Sequence, residues 1–477
     1  MNFAGLWSLL VLGVAAMLGC ARAPSPNLLL ITIDTLRADR LACYGGAADA
    51  GLAICALGAR GTRYVWAISP ASQTSPAIAS ILTSRYPSFH GVKQAVTTTL
   101  LEDEQTLPEL LEASGFDTAA VVSNPVLATG RGFEQGFHVY NDEMKQPERN
   151  RSDRVERVAS DTTDAALAWI AQAREPWFLW VHYQDTHGPY DPPGAPPARD
   201  VPGSPELPLL HDHSGRGGIP VYQELQGVRR VATYEARYRA ELDYVDRKVS
   251  RLLRALDATG RPVGILLTAD HGEAFGEDDY WFAHGHSVAL DQIRVPLLWR
   301  PPVGAAASIT MPVSTLDVAP TLLAMAGLPA PEGFQGRSLA LAEPGGAARE
   351  RVIFAEHAQR VALVAGRRYF ARDRSPITNP LPDPNSAGQL HGLPPRLALL
   401  GPDGNTPLYE TAEVAGVEAF ERAFSQLLAA ARTPAAAPAR VVSAARREQL
   451  EALGYLQEAG VEGSLRESGD PNERTAP

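Results

Sequence analysis

The sequence predicts an α/β fold with a large central, mostly parallel sheet flanked by helices, followed by a smaller C-terminal α+β subdomain. Two apolar runs, at residues 28–33 and 263–269, each end abruptly in an acid, Asp34 and Asp270. Apolar runs of this kind are typical of central strands that are covered on both faces of a parallel sheet. Strand and helix patterns alternate along most of the chain, which suits βαβ units. After about Leu339 shorter strand-like pieces replace this alternation, which indicates a second subdomain.

The individual elements can be placed in order from these patterns. Strands of the main sheet are expected at 28–34, 62–68, 118–123, 177–183, 263–270 and 295–299. Helices are expected at 76–82, 107–113, 154–173, 234–257 and 316–326. The Pro- and Gly-rich stretch 191–218 is predicted to be a long surface loop, and such loops are usually functional lids or disordered inserts. In the C-terminal part, strands are expected at 352–355, 361–364 and 368–371, and a helix at 415–431.

The first 20 residues have the pattern of a bacterial export signal. The apolar run 6–18 is too short to span a membrane and is followed by Gly19-Cys20. A small residue before a cysteine resembles a lipoprotein signal, whereas residues 21–23 offer an ordinary signal-peptidase site as the alternative. We favour lipidation at Cys20, because only a short tether separates it from the first strand. The predicted protein is therefore exported, periplasmic or on the cell surface, and anchored to the membrane surface.

The predicted organisation is a signal peptide at 1–20, a main domain at 24–341, a smaller subdomain at 342–432, and a linker, short helix and polar tail at 433–477. The net charge of −11, with no compensating basic stripe, argues against nucleic-acid binding. Cys43 and Cys55 are the cysteines left after Cys20, too few for a disulfide framework. They are expected to pack as small hydrophobes.

Acidic and imidazole side chains follow two of the predicted central strands. Asp34 ends the first strand, and Asp270-His271 ends the strand at 263–269. Ligands of parallel sheets bind at the carboxyl ends of strands, so these three side chains form a metal-site hypothesis. The alternative is that each Asp caps the helix that follows. The Asp-His-Gly-Glu tetrad at the second strand favours the metal site.

A series of motifs carries a more specific resemblance. The segments ITIDTLRAD, SPAIASILTSRYPSFHGV, HYQDTHGPYDPP, ADHGEAFGED, HGHS with IRVPLLWRPP, and STLDVAPTLLAMAGLP with QGRSL occur in this order. Together they resemble the sulfatase family of the alkaline phosphatase superfamily over about residues 27–341. This resemblance implies an alkaline-phosphatase-like sandwich with a metal at the strand ends. It also implies an alcohol-type nucleophile that attacks sulfur or phosphorus and is regenerated by hydrolysis.

The nucleophile position departs from the sulfatase pattern. Sulfatases have Cys-x-Pro-x-Arg, with the cysteine oxidised to formylglycine, whereas this chain has Thr74-Ser75-Pro76-Ala77-Ile78. A threonine here resembles superfamily members that use threonine directly, such as phosphodiesterases and phosphoethanolamine transferases. Pro76 suits a first helical turn, so Thr74 is expected at a helix N-terminus, where an alkoxide and an anion are favoured. An N-cap role for Thr74 is the alternative, and Ser72 and Ser75 are the rival nucleophiles.

The resemblance implies the metal ligands Asp34, Thr74, Asp270 and His271. Many sulfatases have a second Asp after the first and bind calcium, but this chain has Thr35 there. One divalent ion is expected, and imidazole with carboxylates favours zinc or manganese over calcium.

Three further residues match or suggest substrate contacts. His187 and His284 match histidines that contact substrate in the family, and either could protonate a leaving group. A structural, hydrogen-bonded role is the alternative for each histidine. Arg37 is a candidate anion clamp or a surface ion-pair partner. Asp185 with both histidines could instead form a second metal site, as in the phosphatase branch.

The sequence leaves three functions open. The first is a metal-dependent hydrolase of sulfuric or phosphoric esters, a sulfatase-like enzyme with Thr74 in place of formylglycine. The second is a phosphoethanolamine-type transferase to a glycan or lipid, and the third is a non-catalytic binding protein. The absence of membrane spans before the predicted catalytic domain favours hydrolysis over transfer, and the retained site residues argue against a binding protein. Missing family lysines and arginine favour phosphate over sulfate esters.

Overall fold

The computed structural model describes residues 25–147, 155–302, 304, 306–340, 351–357, 360–373, 396–401, 408–410, 422 and 425–426. The predicted signal peptide with Cys20, most of the helix predicted at 415–431 and the polar tail lie outside these residues. The strands are β1 (Asn27–Ile33), β2 (Thr62–Ile68), β3 (Asp117–Val122), β4 (Val139–Asn141), β5 (Gln146–Pro147), β6 (Val155–Glu156), β7 (Trp177–Tyr183), β8 (Val263–Ala269), β9 (Ala274–Phe275), β10 (Trp281–Ala283), β11 (Arg294–Arg300), β12 (Ala307–Ile309), β13 (Val313–Ser314), β14 (Val352–Glu356), β15 (Arg360–Ala365), β16 (Arg368–Asp373), β17 (Arg396–Leu399) and β18 (Leu408–Glu410). The α-helices are α1 (Leu52–Ala59), α2 (Thr74–Thr83), α3 (Pro87–His90), α4 (Leu107–Glu112), α5 (Ala159–Ile170), α6 (Val231–Ala258), α7 (Leu290–Ile293) and α8 (Val318–Met325).

A nine-stranded sheet forms the centre of the main domain. Its strand order is β12-β2-β11-β8-β1-β7-β3-β4, and β13 also pairs with β2. Only β11 runs antiparallel to its neighbours, β2 and β8. Every residue of β1, β7 and β8 is buried, as expected for central strands covered on both faces. The predicted large, mostly parallel sheet is confirmed.

Two groups of helices cover this sheet. Helices α1 and α5 both pack against α6, and α5 also contacts β3 and β7. Helices α2, α4 and α8 form the second group, which contacts β3 and β8. One continuous apolar core joins the sheet to these helices. Within the described part of the chain, none of the helices has both the length and the apolarity needed to cross a membrane.

A smaller antiparallel sheet follows the main domain. Its order is β14-β15-β16-β17-β18, and the three strands predicted from 352 to 371 are its first three. Its buried residues pack against Trp66 of β2 and Val288. The small sheet therefore packs against β2, near one edge of the main sheet.

The structure corrects several sequence expectations. Cys43 and Cys55 pack against the core but form a disulfide, so the expectation of two separate small hydrophobes is wrong. The helix predicted to begin at residue 154 begins at Ala159, because residues 155–156 pair with β5. Helix α1 was not predicted, since its sequence LAICALGA is apolar on nearly all sides and lacks a helical period. The loop at 191–218 is largely irregular, as predicted.

Candidate active site

Strand pairing brings the two acids of the sequence hypothesis to one edge of the sheet. Strand β1 lies between β7 and β8, and Ile33 pairs with both Tyr183 and Ala269. Asp34 and Asp270 are the next residues of β1 and β8, so they leave the sheet side by side at its carboxyl end. This edge is where parallel sheets bind ligands.

Asp34, Asp270 and His271 form a fully buried cluster of possible metal ligands. One ligand atom from each lies within 4.8 Å of the others. Nε2 of His271 is 3.7 Å from Oδ1 of Asp34 and 3.5 Å from Oδ2 of Asp270. These two carboxylate oxygens are buried without a hydrogen-bond partner among the described residues. Buried polar atoms nearly always have a partner, so this cluster fits a cation.

Hydrogen bonds fix the orientation of Asp270 and His271 within this cluster. Oδ1 of Asp270 accepts the backbone N–H of His271 at 2.8 Å and that of Thr35 at 3.3 Å, which leaves Oδ2 facing His271. Nδ1 of His271 lies 2.9 Å from the carbonyl oxygen of Gly272. A carbonyl only accepts, so in the neutral ring the proton is on Nδ1 and the lone pair is on Nε2. His271 is thus in the tautomer that a metal ligand needs.

Without a cation, the negative charges of Asp34 and Asp270 repel each other. Burial and the neighbouring charge of Asp34 raise the pKa of Asp270 to about 6. Burial alone would raise the pKa of Asp34 as well, but the neighbouring imidazoles of His182, His187 and His271 hold it well below its usual value. A divalent cation would relieve this repulsion, which is the electrostatic condition for a metal site.

Thr74 is the hydroxyl residue that the fold brings to the cluster. It is the first residue of α2, after the N-cap Gln73, and is fully buried. Its Oγ1 lies 3.3 Å from Nε2 of His271. The rival Ser75 donates to the carbonyls of Ala95 and Val126 instead. Ser72 has a buried hydroxyl for which the described residues supply no partner.

The predicted substrate histidines lie next to the cluster. The ring centroid of His284 is 4.5 Å from that of His271 and 5.0 Å from that of His187. Nδ1 of His284 is 3.1 Å from Oε1 of Glu273, whose Oε2 accepts the hydroxyl of Tyr190 at 3.0 Å. Burial lowers the pKa of His284 to about 3 and that of His187 to about 4. Both imidazoles are therefore neutral near pH 7 in the metal-free protein.

Arg37 and Asp185 do not belong to the cluster of Asp34, Asp270 and His271. The guanidinium of Arg37 pairs with Asp39 at 2.7 Å and Glu277 at 2.8 Å, and it also donates to the carbonyl of Glu273. Its role as an anion clamp stays a prediction. Asp185 is buried, and burial raises its pKa to about 7. Among the described residues it belongs to no cluster with metal-ligand spacing.

Sequence reasoning missed three residues that contact the predicted ones. Asn124 donates to Oδ2 of Asp34 at 2.5 Å, and Nε2 of His182 lies 3.6 Å from the same oxygen. Asn124 follows β3, and Glu273 belongs to the Asp-His-Gly-Glu tetrad. Asn124 and Glu273 could have been identified from the sequence, because polar residues just after a strand of a parallel sheet are candidates for the site. His182 lies inside an apolar strand, where nothing in the sequence marks it.

Comparisons with known proteins agree with this architecture. A family model described as Sulfatase matches residues 26–328. The uncharacterized sulfatase YidJ of Escherichia coli is 24% identical over 367 residues, 67% of this chain and 72% of that protein. A delta 4,5-hexuronate-2-O-sulfatase of Bacteroides thetaiotaomicron is 25% identical over 366 residues, 69% of this chain and 74% of the relative. The structure of the phosphonate monoester hydrolase of Agrobacterium radiobacter has a TM-score of 0.62 at 19% identity, covering 85% of this chain and 95% of that one.

Proposed function

Because this chain belongs to the sulfatase family of the alkaline phosphatase superfamily, we propose that it is a metal-dependent hydrolase of sulfuric or phosphoric esters with Thr74 as nucleophile. Membership makes it an ester hydrolase of this superfamily. The observation that carries the finer proposal is the 3.3 Å distance between Oγ1 of Thr74 and Nε2 of His271. It places a hydroxyl group at the cluster of Asp34, Asp270 and His271.

These three residues would hold one divalent ion, with Thr74 as a further ligand. Two carboxylates and an imidazole favour zinc or manganese over calcium. When bound, such an ion supplies Lewis-acid polarisation of the ester and favours the deprotonated hydroxyl. The unpartnered oxygens of Asp34 and Asp270 support this assignment.

The remaining roles in catalysis belong to protein side chains. Thr74, at the start of the ten-residue helix α2, attacks the phosphorus or sulfur atom, and the N–H groups of the first turn favour the alkoxide and the anionic ester. A neutral imidazole, that of His284 or of His187, accepts the proton that the Thr74 hydroxyl loses and donates it to the leaving oxygen. The carboxylate of Glu273 orients His284 through its contact with Nδ1 of the histidine ring. Water then hydrolyses the ester on Thr74 and regenerates the hydroxyl.

Phosphate esters are the preferred substrates in this proposal. Ile78 occupies the place of the family's arginine, and Thr74 cannot become formylglycine. Relatives named as sulfatases and as phosphonate monoester hydrolases share the fold, so both ester classes belong in the test. Chromogenic phosphodiesters, phosphomonoesters, phosphonate monoesters and sulfates would be assayed with zinc and with manganese. Sulfate esters cleaved fastest would contradict the preference, and no turnover of any class would favour the binding-protein alternative.

Transfer to a glycan or lipid acceptor is the second candidate function. It shares the step in which Thr74 takes up the phosphoryl group, so product analysis separates it from hydrolysis. Free phosphate or phosphonate formed in the absence of an acceptor supports hydrolysis. Turnover that requires an added alcohol acceptor supports the transferase.

Export and lipid anchoring at Cys20 belong to the same proposal. The disulfide between Cys43 and Cys55 supports an oxidising compartment, because disulfides persist outside the reducing cytosol. A periplasmic or surface location would give the enzyme access to esters outside the cytoplasm.

A further inference from the structure

The two carboxylate oxygens of Asp34 have different surroundings. Oδ2 accepts a hydrogen bond from Nδ2 of Asn124 at 2.5 Å and lies 3.6 Å from Nε2 of His182. Oδ1 is buried without a partner among the described residues and lies 3.7 Å from Nε2 of His271. One oxygen is therefore held by protein side chains, while the other faces the ligand cluster.

A chain of hydrogen bonds determines which ring nitrogen of His182 carries the proton. Nε1 of Trp180 donates to Oγ1 of Thr32 at 2.9 Å, and the same Oγ1 lies 2.8 Å from Nδ1 of His182. An indole N–H only donates, so Thr32 accepts from Trp180. Within the described residues the remaining partner of this hydroxyl is His182, and its hydrogen therefore goes to Nδ1. Nδ1 then holds the lone pair, and the ring proton lies on Nε2, the nitrogen nearest Asp34.

His182 and His271 are consequently set in opposite tautomers. The carbonyl of Gly272 keeps the proton of His271 on Nδ1 and leaves a lone pair on Nε2 for a metal. The Thr32 hydroxyl does the reverse for His182, whose Nε2–H can donate but cannot coordinate. Both rings are completely buried, so the local hydrogen bonds, and not solvent, decide the tautomer.

We propose that Trp180, Thr32 and His182 form a hydrogen-bonded chain that, together with Asn124, positions Asp34 so that Oδ1 is presented to the metal. His182 is a positioning residue in this view and not a ligand. Side chains that contact and orient a metal ligand typically change metal affinity 10- to 100-fold when they are replaced. The inference rests on the metal site of the proposed function.

Metal affinity in two matched pairs of variants tests the proposal. The amide nitrogen of glutamine can occupy the place of Nε2, whereas that of asparagine reaches only the place of Nδ1. His182→Gln should therefore keep the dissociation constant for zinc or manganese near the wild-type value, and His182→Asn should raise it about tenfold or more. Equal affinities of the two variants would overturn the positioning role. Competition with a chromophoric chelator measures these constants, and melting of the metal-free proteins controls for folding.

The second pair compares threonines that are register partners in neighbouring strands. Thr32 of β1 lies two residues before Asp34. Its register partner, Thr268 of β8, lies two residues before Asp270. Both are fully buried, but Thr268 donates to the carbonyl of Pro296 and not to a site residue. Thr32→Val should weaken metal binding about tenfold, whereas Thr268→Val should leave it nearly unchanged. Equal effects would show that general sheet packing, and not the chain through His182, controls affinity.

The tautomer itself can be read in the metal-free protein by long-range ¹H–¹⁵N NMR of the histidine rings at alkaline pH, because the carboxylates of Asp270 and Asp34 raise the pKa of His271 despite its burial. We expect the Nε2–H form for His182 and the Nδ1–H form for His271. A His182 proton on Nδ1, or a large shift of His182 Nε2 on metal addition as for a coordinated nitrogen, would overturn the proposal. Wild-type protein that binds no metal would contradict the proposed function as well, whereas a wrong tautomer with normal metal binding contradicts only this inference.

Discussion

Oγ1 of Thr74 lies 3.3 Å from Nε2 of His271, although 197 positions separate the two residues in sequence. The same nitrogen lies 3.5 Å from Oδ2 of Asp270 and 3.7 Å from Oδ1 of Asp34. The proposed nucleophile and the proposed metal ligands therefore meet around one imidazole nitrogen. Changes on either side of this nitrogen should affect catalysis in distinguishable ways, through loss of the metal or loss of the hydroxyl.

Replacement of Asp270 should empty the metal site. Purified wild-type protein is expected to hold about one equivalent of zinc or manganese per chain, because the described residues contain one ligand cluster. Asp270→Asn should lose most of it, since an amide removes the charge that attracts the cation. Asp185→Asn, at another buried acid near the end of β7, is the matched control and should retain the metal. Wild-type protein that is metal-free and is not activated by zinc or manganese would contradict the site.

Replacement of Thr74 should abolish turnover without removing the metal-binding acids. Thr74→Ala is expected to lower kcat by about three orders of magnitude or more, as for other nucleophile deletions. Thr74→Ser keeps a hydroxyl and should retain measurable activity. Ser75→Ala is the control, because this neighbouring hydroxyl bonds to backbone carbonyls away from the cluster. Efficient cleavage of sulfate esters by Thr74→Ala would contradict both the nucleophile and the substrate preference.

Replacement of His284 should have an effect that depends on the leaving group. If His284 protonates the leaving oxygen, His284→Ala should slow alkyl esters by about 10²- to 10⁴-fold and activated aryl esters much less. The measurement is kcat/KM against leaving-group pKa for both proteins. An equal loss for all esters would instead assign His284 to substrate binding.

The disulfide between Cys43 and Cys55 should contribute to stability. It closes a loop with a sequence separation of 12, and native disulfides of this kind contribute about 2–4 kcal/mol to the free energy of unfolding. The double variant Cys43→Ser/Cys55→Ser should therefore melt at a lower temperature than the wild type under oxidising conditions. The two proteins should differ much less in the presence of a reductant. An equal difference under both conditions would mean that packing of the side chains, and not the bond, is responsible.

Anchoring is expected to depend on Cys20. Cys20→Ser should move the protein from the membrane fraction to the soluble fraction, because an acylated terminus with several chains gives stable membrane attachment. Fractionation followed by immunodetection measures this. A wild-type mature protein that begins at Pro24 would show that the ordinary cleavage site is used instead.

The sequence predicted the central strands and the ligand cluster because both depend on local patterns. Apolar runs that end in acids mark β1 and β8, and parallel pairing then requires Asp34 and Asp270 to be neighbours. Helix α2 could be placed because Pro76 marks its first turn.

Other features depend on contacts between distant segments and left no local signal. The pairing of Cys43 with Cys55 depends on the path of the chain between two short helical segments. The contact of His182 with Asp34 depends on the pairing of β7 with β1, since a histidine inside an apolar strand has no distinguishing neighbours in sequence. The surroundings of Arg37 likewise require Glu277, which lies far along the chain.

The pairing of β1 with β8 also sets the time at which the site can form during folding. The backbone N–H of Thr35 bonds to the carboxylate of Asp270 across 235 positions of the chain. Contacts with such a long sequence separation require closure of a very large loop, and they are slow to form. A nascent chain that has not yet synthesised β8 holds Asp34 and Thr74 but lacks Asp270 and His271. Uptake of the proposed metal therefore has to follow docking of β8 against β1, so that a loaded metal would mark chains in which these two strands have paired.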